Sequence, residues 1–178
     1  MLERRSALAH AEPYSSPVLK IGEARGFSIT QVAGFAPAFE QEIAPITGAL
    51  PPTATAAITS NGRTVFRTTP LQFWFVGPEQ DDLAKQLAGR CIVTPLSHSR
   101  TRIFIDGAPA RDVLLKGIPV DLHDSVFKPG IFAMTGLHHT PVLLHCVSAN
   151  RFELYAMRTF AENIWEWVTD AAKEYAAG

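Results

Sequence analysis

The chain is poor in charge and in cysteine. Charged residues fill 19% of its 178 positions, 16 basic and 17 acidic, for a formal net charge of −1. With neither sign in excess, nothing steers it toward nucleic acid or an anionic membrane. Its two cysteines, Cys91 and Cys146, each sit in an apolar run, RCIVTPL and LLHCVS. That excludes a disulfide-framed scaffold and predicts two reduced, buried thiols in a cytosolic protein. No apolar run reaches the roughly 20 residues of a membrane-spanning helix. The initial MLERRSALAHA has arginines without a following apolar stretch, so it does not read as a secretory signal.

Familiar chemical motifs are missing too. There is no Gly-x-Gly-x-x-Gly or Walker-type loop to cradle phosphates and no Gly-x-Ser-x-Gly elbow. His98, His123, His138, His139 and His145 crowd the second half, but none has zinc-type spacing, and His138 and His139 fall in a predicted turn where neighbouring side chains diverge. No metal site is expected.

What is present is a globular composition, 47% apolar. A chain of this length buries roughly 70% of its unfolded surface and folds without a staple. The scarcity of charge also suits a surface partly covered by a partner. Residues 1–16 read as an N-terminal arm, partly helical around Arg4 to Ala9. VLKIGE (18–23) and GFSITQVAGF (26–35) read as strands, APAFEQEIAPI as a short helix halted by Pro45, and TGALPPTATAA (47–57) as a loop. TVFRT is a strand; LQFWFVG (71–77) is a strand buried on both faces. PEQDDLAKQLAG is a helix with Pro78 at its first position. CIVTPL and SRTRIFID are strands, the latter alternating Thr101, Ile103 and Ile105 with Arg102, Phe104 and Asp106. APARDVLLKG is a helix stopped at Gly117. IFAMTGL, PVLLHCV and RFELYAM are strands with HH and SAN as turns. The last helix, TFAENIWEWVTDAAKEYAAG, is the longest, with Thr159 as N-cap and Glu162 completing a capping box.

One device recurs. VAGFAPAFEQEI, FVGPEQDDLAKQL and IDGAPARDVLLKG each run strand, Gly, Pro, helix. The element order predicts an α+β fold of two tandem ferredoxin-like (β-α-β-β-α-β) lobes with mainly antiparallel sheets, at approximately 17–95 and 96–178. The Asp106–Arg111 turn is the best anion candidate, since free N–H groups at a helix start and Arg111 could hold a carboxylate or phosphate. Its recurrence elsewhere argues instead for a plain strand-to-helix connector. On the last helix, Phe160, Ile164, Trp167, Val168, Ala171 and Tyr175 share a core-facing stripe, which makes Trp167 a core residue. Trp165 points away, either as the flank of that stripe or as an interface anchor.

The stretches RRSALAH, LSHSRTRIFIDGAPARDVLLKGIPVDLHDSVFKPGIFAMT, PVLLH and FELYAMRTFAENIWEWVTDAA resemble the gamma subunit family of heterotetrameric sarcosine oxidase, over nearly the whole chain and most strongly from Leu96 onward. The resemblance implies a fold similar to the folate-binding domain of glycine-cleavage T proteins. It implies an oxidoreductase complex with alpha, beta and delta partners that demethylates sarcosine to glycine, passes the one-carbon unit to tetrahydrofolate and releases hydrogen peroxide. FAD, FMN, NAD and tetrahydrofolate would be held by the larger subunits, and this chain would be non-catalytic, structural and cytoplasmic. It turns Trp165, with Arg4 and Arg5 of the arm, into partner-interface candidates. Two alternatives stay open: a folate or pterin module using Asp106, Arg111, Asp121 and His123, and a complex acting on another N-methyl amino acid.

Overall fold

The computed structural model describes residues 5–51 and 53–176. In chain order its strands are β1 (Tyr14–Ser15), β2 (Leu19–Glu23), β3 (Phe27–Ala33), β4 (Ala57–Ser60), β5 (Arg63–Thr69), β6 (Gln72–Pro78), β7 (Ile92–Pro95), β8 (Arg100–Gly107), β9 (Phe132–Leu137), β10 (Thr140–Ser148) and β11 (Arg151–Met157). The α-helices are α1 (Phe39–Thr47), α2 (Leu83–Gln86), α3 (Ala110–Leu115) and α4 (Ala161–Ala171). They form two compact units. One is Gly26–His98; the other joins the chain through Arg25 to the chain from Ser99 onward.

The Gly26–His98 unit is an antiparallel sheet ordered β4-β5-β6-β3-β7. With β4 set aside as an added edge, β3-α1-β5-β6-α2-β7 is the ferredoxin-like order. The other sheet is ordered β1-β2-β8-β11-β10-β9, also antiparallel. There β8-α3-β10-β11-α4 repeats the pattern, β9 matches β4, and β2 fills the place that β7 fills in the first unit. Both units therefore carry the expected repeat, but residues 17–25 do not group with the first half. The core explains why: Leu19 and Ile21 are buried in one cluster with Ile103, Ile105, Phe152 and Leu154. Each such fully buried side chain contributes roughly 1.5–3 kcal/mol. The segment before β2 is drawn in as well. Residues 7–10 form a turn rather than a helix, Leu8 is 1% exposed in that same cluster, and Tyr14 and Ser15 pair with Ile21 and Lys20.

Strand periodicity was largely legible. β8 alternates as expected, and Phe73–Val76 are buried in succession, as in a strand covered on both faces. Helix ends departed from expectation. α1 runs through Pro45 to Thr47, because Ile43 and Thr47 are buried, Thr47 Oγ1 donates to the Ile43 carbonyl (3.1 Å) and Gly48 N–H donates to Ala44 (2.8 Å). Pro78 ends β6 opposite Phe27 rather than opening a helix. The turn after it is held by Asp81, which accepts from Leu83 N–H (2.9 Å) and from Arg63 through two 2.6 Å bonds, so α2 begins only at Leu83. Thr159 does not cap α4. A 3-10 turn, Arg158–Phe160, precedes it, positioned by Arg158 N–H donating to the Ser99 carbonyl (2.9 Å). β4 was missed, although Asn61 and Gly62 both take positive φ (49° and 73°), the signature of a tight hairpin.

Candidate functional site

The turn at Asp106–Arg111 is where the sequence placed its anion candidate. Gly107 has φ 148°, and a Cβ there would run into the backbone of Val18 and Leu19, so this glycine is required by the close passage of β2. Arg111 points its guanidinium at the loop after α3. It donates to the carbonyls of Leu122 and Phe127 and stands 5.0 Å from the Phe152 ring. Asp121 and His123 flank Leu122, but they serve their own turn. Asp121 accepts from His123 N–H (2.9 Å), and His123 Nδ1 lies 2.7 Å from Ser125 Oγ. Asp106 pairs across the sheet with Arg151 at 2.8 Å. The structure thus brings Arg111 to the Asp121–His123 loop and engages Asp106 with Arg151.

A cluster that sequence reasoning did not single out lies on the same sheet. Glu153 of β11 is 3% exposed. Its carboxylate accepts from Arg102 at 2.5 Å and from the Tyr155 hydroxyl at 2.8 Å, with Arg151 at 3.9 Å and His145 at 4.0 Å. Burial alone would raise the Glu153 pKa, but the neighbouring His145, the hydrogen bond and charge of Arg102 and the Tyr155 hydroxyl hold it at about 2. Burial and then the charge of Glu153 push Tyr155 well above its ordinary value. At neutral pH the carboxylate is locked ionised and the phenol locked neutral. Neither is tuned for proton transfer near neutrality; with Arg102 of β8 and His145 of β10 facing Glu153, the cluster is suited to holding three strands together. The available signal was a pair of opposite charges, in RTRIFID and RFELYAM, each in the middle of an apolar strand.

Neither thiol is activated. Burial raises the Cys146 thiol, partly opposed by Arg111, and burial and Glu42 raise Cys91. Cys146 is buried as expected, whereas Cys91 is only partly so. Among the described residues no group of three or more His, Cys, Asp or Glu could hold a metal ion.

Along α4 and the residue that follows it, the fully buried line is Ala161, Ile164, Val168 and Ala172. Phe160, Trp167, Ala171 and Tyr175 are half-buried beside it, so Trp167 is not the core centre that the spacing predicted. Its ring lies over Gly117, where a Cβ would not fit, and its centroid is 5.2 Å from that of His138. Trp165 is half-buried at the core's margin. Arg5 is exposed and its carbonyl accepts from Arg158; Arg4 lies outside the described residues. The most exposed large apolar side chain among the described residues is Phe35, at 87%.

Two ferredoxin-like units in tandem, with their buried charges paired internally, define an α+β protein of the glycine-cleavage T fold class. The aminomethyltransferase T of the glycine cleavage system from Bartonella henselae shares this fold, with a TM-score of 0.63 at 15% identity over 86% of this chain and 46% of that one. The model of the sarcosine oxidase, gamma subunit family matches residues 35–174, and the chain belongs to that family. Heterotetrameric sarcosine oxidase from Corynebacterium sp. U-96, solved with pyrrole 2-carboxylate, contains a chain matching over 98% of this one and 97% of its own length, at 25% identity and a TM-score of 0.89. No match was found among the curated proteins. No helix among the described residues is long and apolar enough to cross a membrane.

Proposed function

We propose that this chain is the non-catalytic gamma subunit of a heterotetrameric sarcosine oxidase and stabilises the assembly of alpha, beta and delta partners. The observation that carries this is the end-to-end agreement with a chain of such an oxidase, at a TM-score of 0.89. The internal chemistry supports it: Glu153 is locked as an ion, and the guanidinium of Arg111 is directed at backbone carbonyls. The assembled enzyme would oxidise sarcosine, or a related N-methyl amino acid, in the cytoplasm. It would release hydrogen peroxide and pass the one-carbon unit to tetrahydrofolate, with FAD, FMN, NAD and the folate held by the other subunits. Trp165 and the arm around Arg4 and Arg5 are the proposed contacts. Co-expression of all four chains, with and without this one, tests the proposal. Loss of stable, flavin-loaded oxidase on omission is expected; equal yield and activity without the chain rejects it.

The folate-module reading, through Asp106, Arg111, Asp121 and His123, has fold kinship behind it. It needs Arg111 to release the loop carbonyls before it can meet an anion, which favours the first reading.

A further inference from the structure

We propose that the outer edge of β7, with the groove beside Phe35, receives a short extended segment of a partner subunit as an added strand. This rests on reading the chain as an assembly subunit and names one of the surfaces that does the assembling.

The two units supply the argument by comparison with each other. In the unit containing α4, the outermost strand of the repeat is β2, and β1 covers its edge through the pairs Tyr14–Ile21 and Ser15–Lys20. In the Gly26–His98 unit the equivalent strand is β7, which ends its sheet; no strand covers it among the described residues. The direction of its backbone groups follows from the register. Leu96 N–H donates to the Ile29 carbonyl at 2.8 Å, which puts the pairs Gln31–Thr94 and Ala33–Ile92 in the hydrogen-bonded set. Val93 therefore turns its N–H and C=O away from β3, as a template for a further strand.

Beside that edge lies a cavity of about 440 Å³ whose lining includes Gly34, Phe35, Phe39, Cys91 and Ile92, with Glu42 and Arg90 also on its wall. Phe35 is 87% and Ile92 44% exposed. The covered edge shows what fits such a place: a two-residue strand whose Tyr14 side chain packs on the core. The expected occupant is accordingly short and extended, with one aromatic or branched apolar side chain entering beside Phe35. A second copy of this chain fits less well. Symmetric pairing of two β7 strands about Val93 would set Cys91 against Pro95, which has no N–H, and would forfeit a bond at each end. A different strand ending opposite Val93 loses nothing.

The test is assembly of the chain with co-expressed oxidase subunits, using wild type, Phe35→Ser and Val93→Pro. Amide exchange at Val93 is expected to slow in the complex relative to the free chain. Phe35→Ser is expected to weaken assembly about tenfold or more with the melting temperature of the free chain unchanged. Val93→Pro, which removes the outward donor, should weaken assembly as well. If the complex forms normally with Phe35→Ser and Val93 exchanges as fast as in the free chain, the site is wrong while the subunit reading stands. A homodimer of the free chain that Phe35→Ser dissolves would put a second copy at this edge instead and overturn the choice of occupant. A wild-type chain that joins no oxidase subunit removes both readings together.

Discussion

Glu153 and Arg102, on the adjacent strands β11 and β8, form a 2.5 Å ion pair in which the carboxylate side chain is 4% exposed and the guanidinium side chain 25%. The carboxylate is buried, so what is left facing it matters more than the attraction of the pair itself. Removing Arg102 leaves the buried carboxylate to the Tyr155 hydroxyl and the more distant Arg151 and His145, and removing Glu153 leaves Arg102 without its carboxylate, each at a cost of up to about 3–5 kcal/mol. Glu153→Gln should lower the unfolding free energy measured by urea titration by that order, and Arg102→Met alone should do the same. A double replacement by apolar residues should recover much of the loss.

The same carboxylate sets an acid limit. Its folded pKa of about 2 lies below the ordinary 4.5. A depressed pKa means that the folded state holds the proton less tightly than the unfolded chain. The stabilisation is therefore complete above pH 4.5 and is lost as the pH falls toward 2, by on the order of 3 kcal/mol in total. Denaturation midpoints measured across this window should fall steeply in wild type and less steeply in Glu153→Gln. Parallel curves would show that other carboxylates carry the acid sensitivity.

Arg111 is expected to act as a loop tether. Arg111→Ala should speed amide exchange over residues 118–130 and cost about 1.5–3 kcal/mol, the range for hydrogen bonds from a charged donor. Titration of the wild-type chain with tetrahydrofolate to millimolar concentration should give no heat. Saturable binding that Arg111→Ala abolishes would instead establish the folate-module reading.

Leu8 tests the N-terminal segment. At 1% exposure, Leu8→Ala should cost about 2–5 kcal/mol, as for a buried core leucine. A near-neutral result in thermal unfolding would mean that the segment is not part of the folded unit in solution.

The two tryptophans of α4 should separate. Trp167→Ala loses contacts over Gly117 and His138, and because Trp167 is half-buried its cost should fall below the roughly 3–5 kcal/mol of a fully buried aromatic. Trp165→Ala should weaken association with oxidase subunits more than it lowers the melting temperature of the free chain. The reverse ordering would assign Trp165 to the core.

Local chemistry made much of the fold readable. Period-two burial marked β8, the aromatic run marked β6, and the Gly-then-Pro joints marked the passages from β3 and β8 toward their helices, whereas Gly77 and Pro78 still belong to β6. These signals depend on neighbours a few residues apart. Helix ends were less readable: the closing turn of α1 past Pro45, the late start of α2 and the uncapped entry to α4 are fixed by buried Thr47, by Asp81 with Arg63 and by Arg158 with Ser99. Those partners are either buried by distant chain or remote in sequence.

By itself, then, the sequence determined the repeated strand-to-helix units, the α+β class and the stretches shared with the gamma subunit family, because each is written in short-range pattern. Only the tertiary structure decided that β2 completes the unit on the far side of an intervening 73-residue unit, Gly26–His98. The same holds for the meeting of Arg102 and Glu153 and for the engagement of Arg111 with backbone carbonyls. Strand pairing and charge compensation are long-range choices. They are settled by which apolar faces can be buried together and which buried charges can be paired, and an alternating pattern of five residues does not encode its partner.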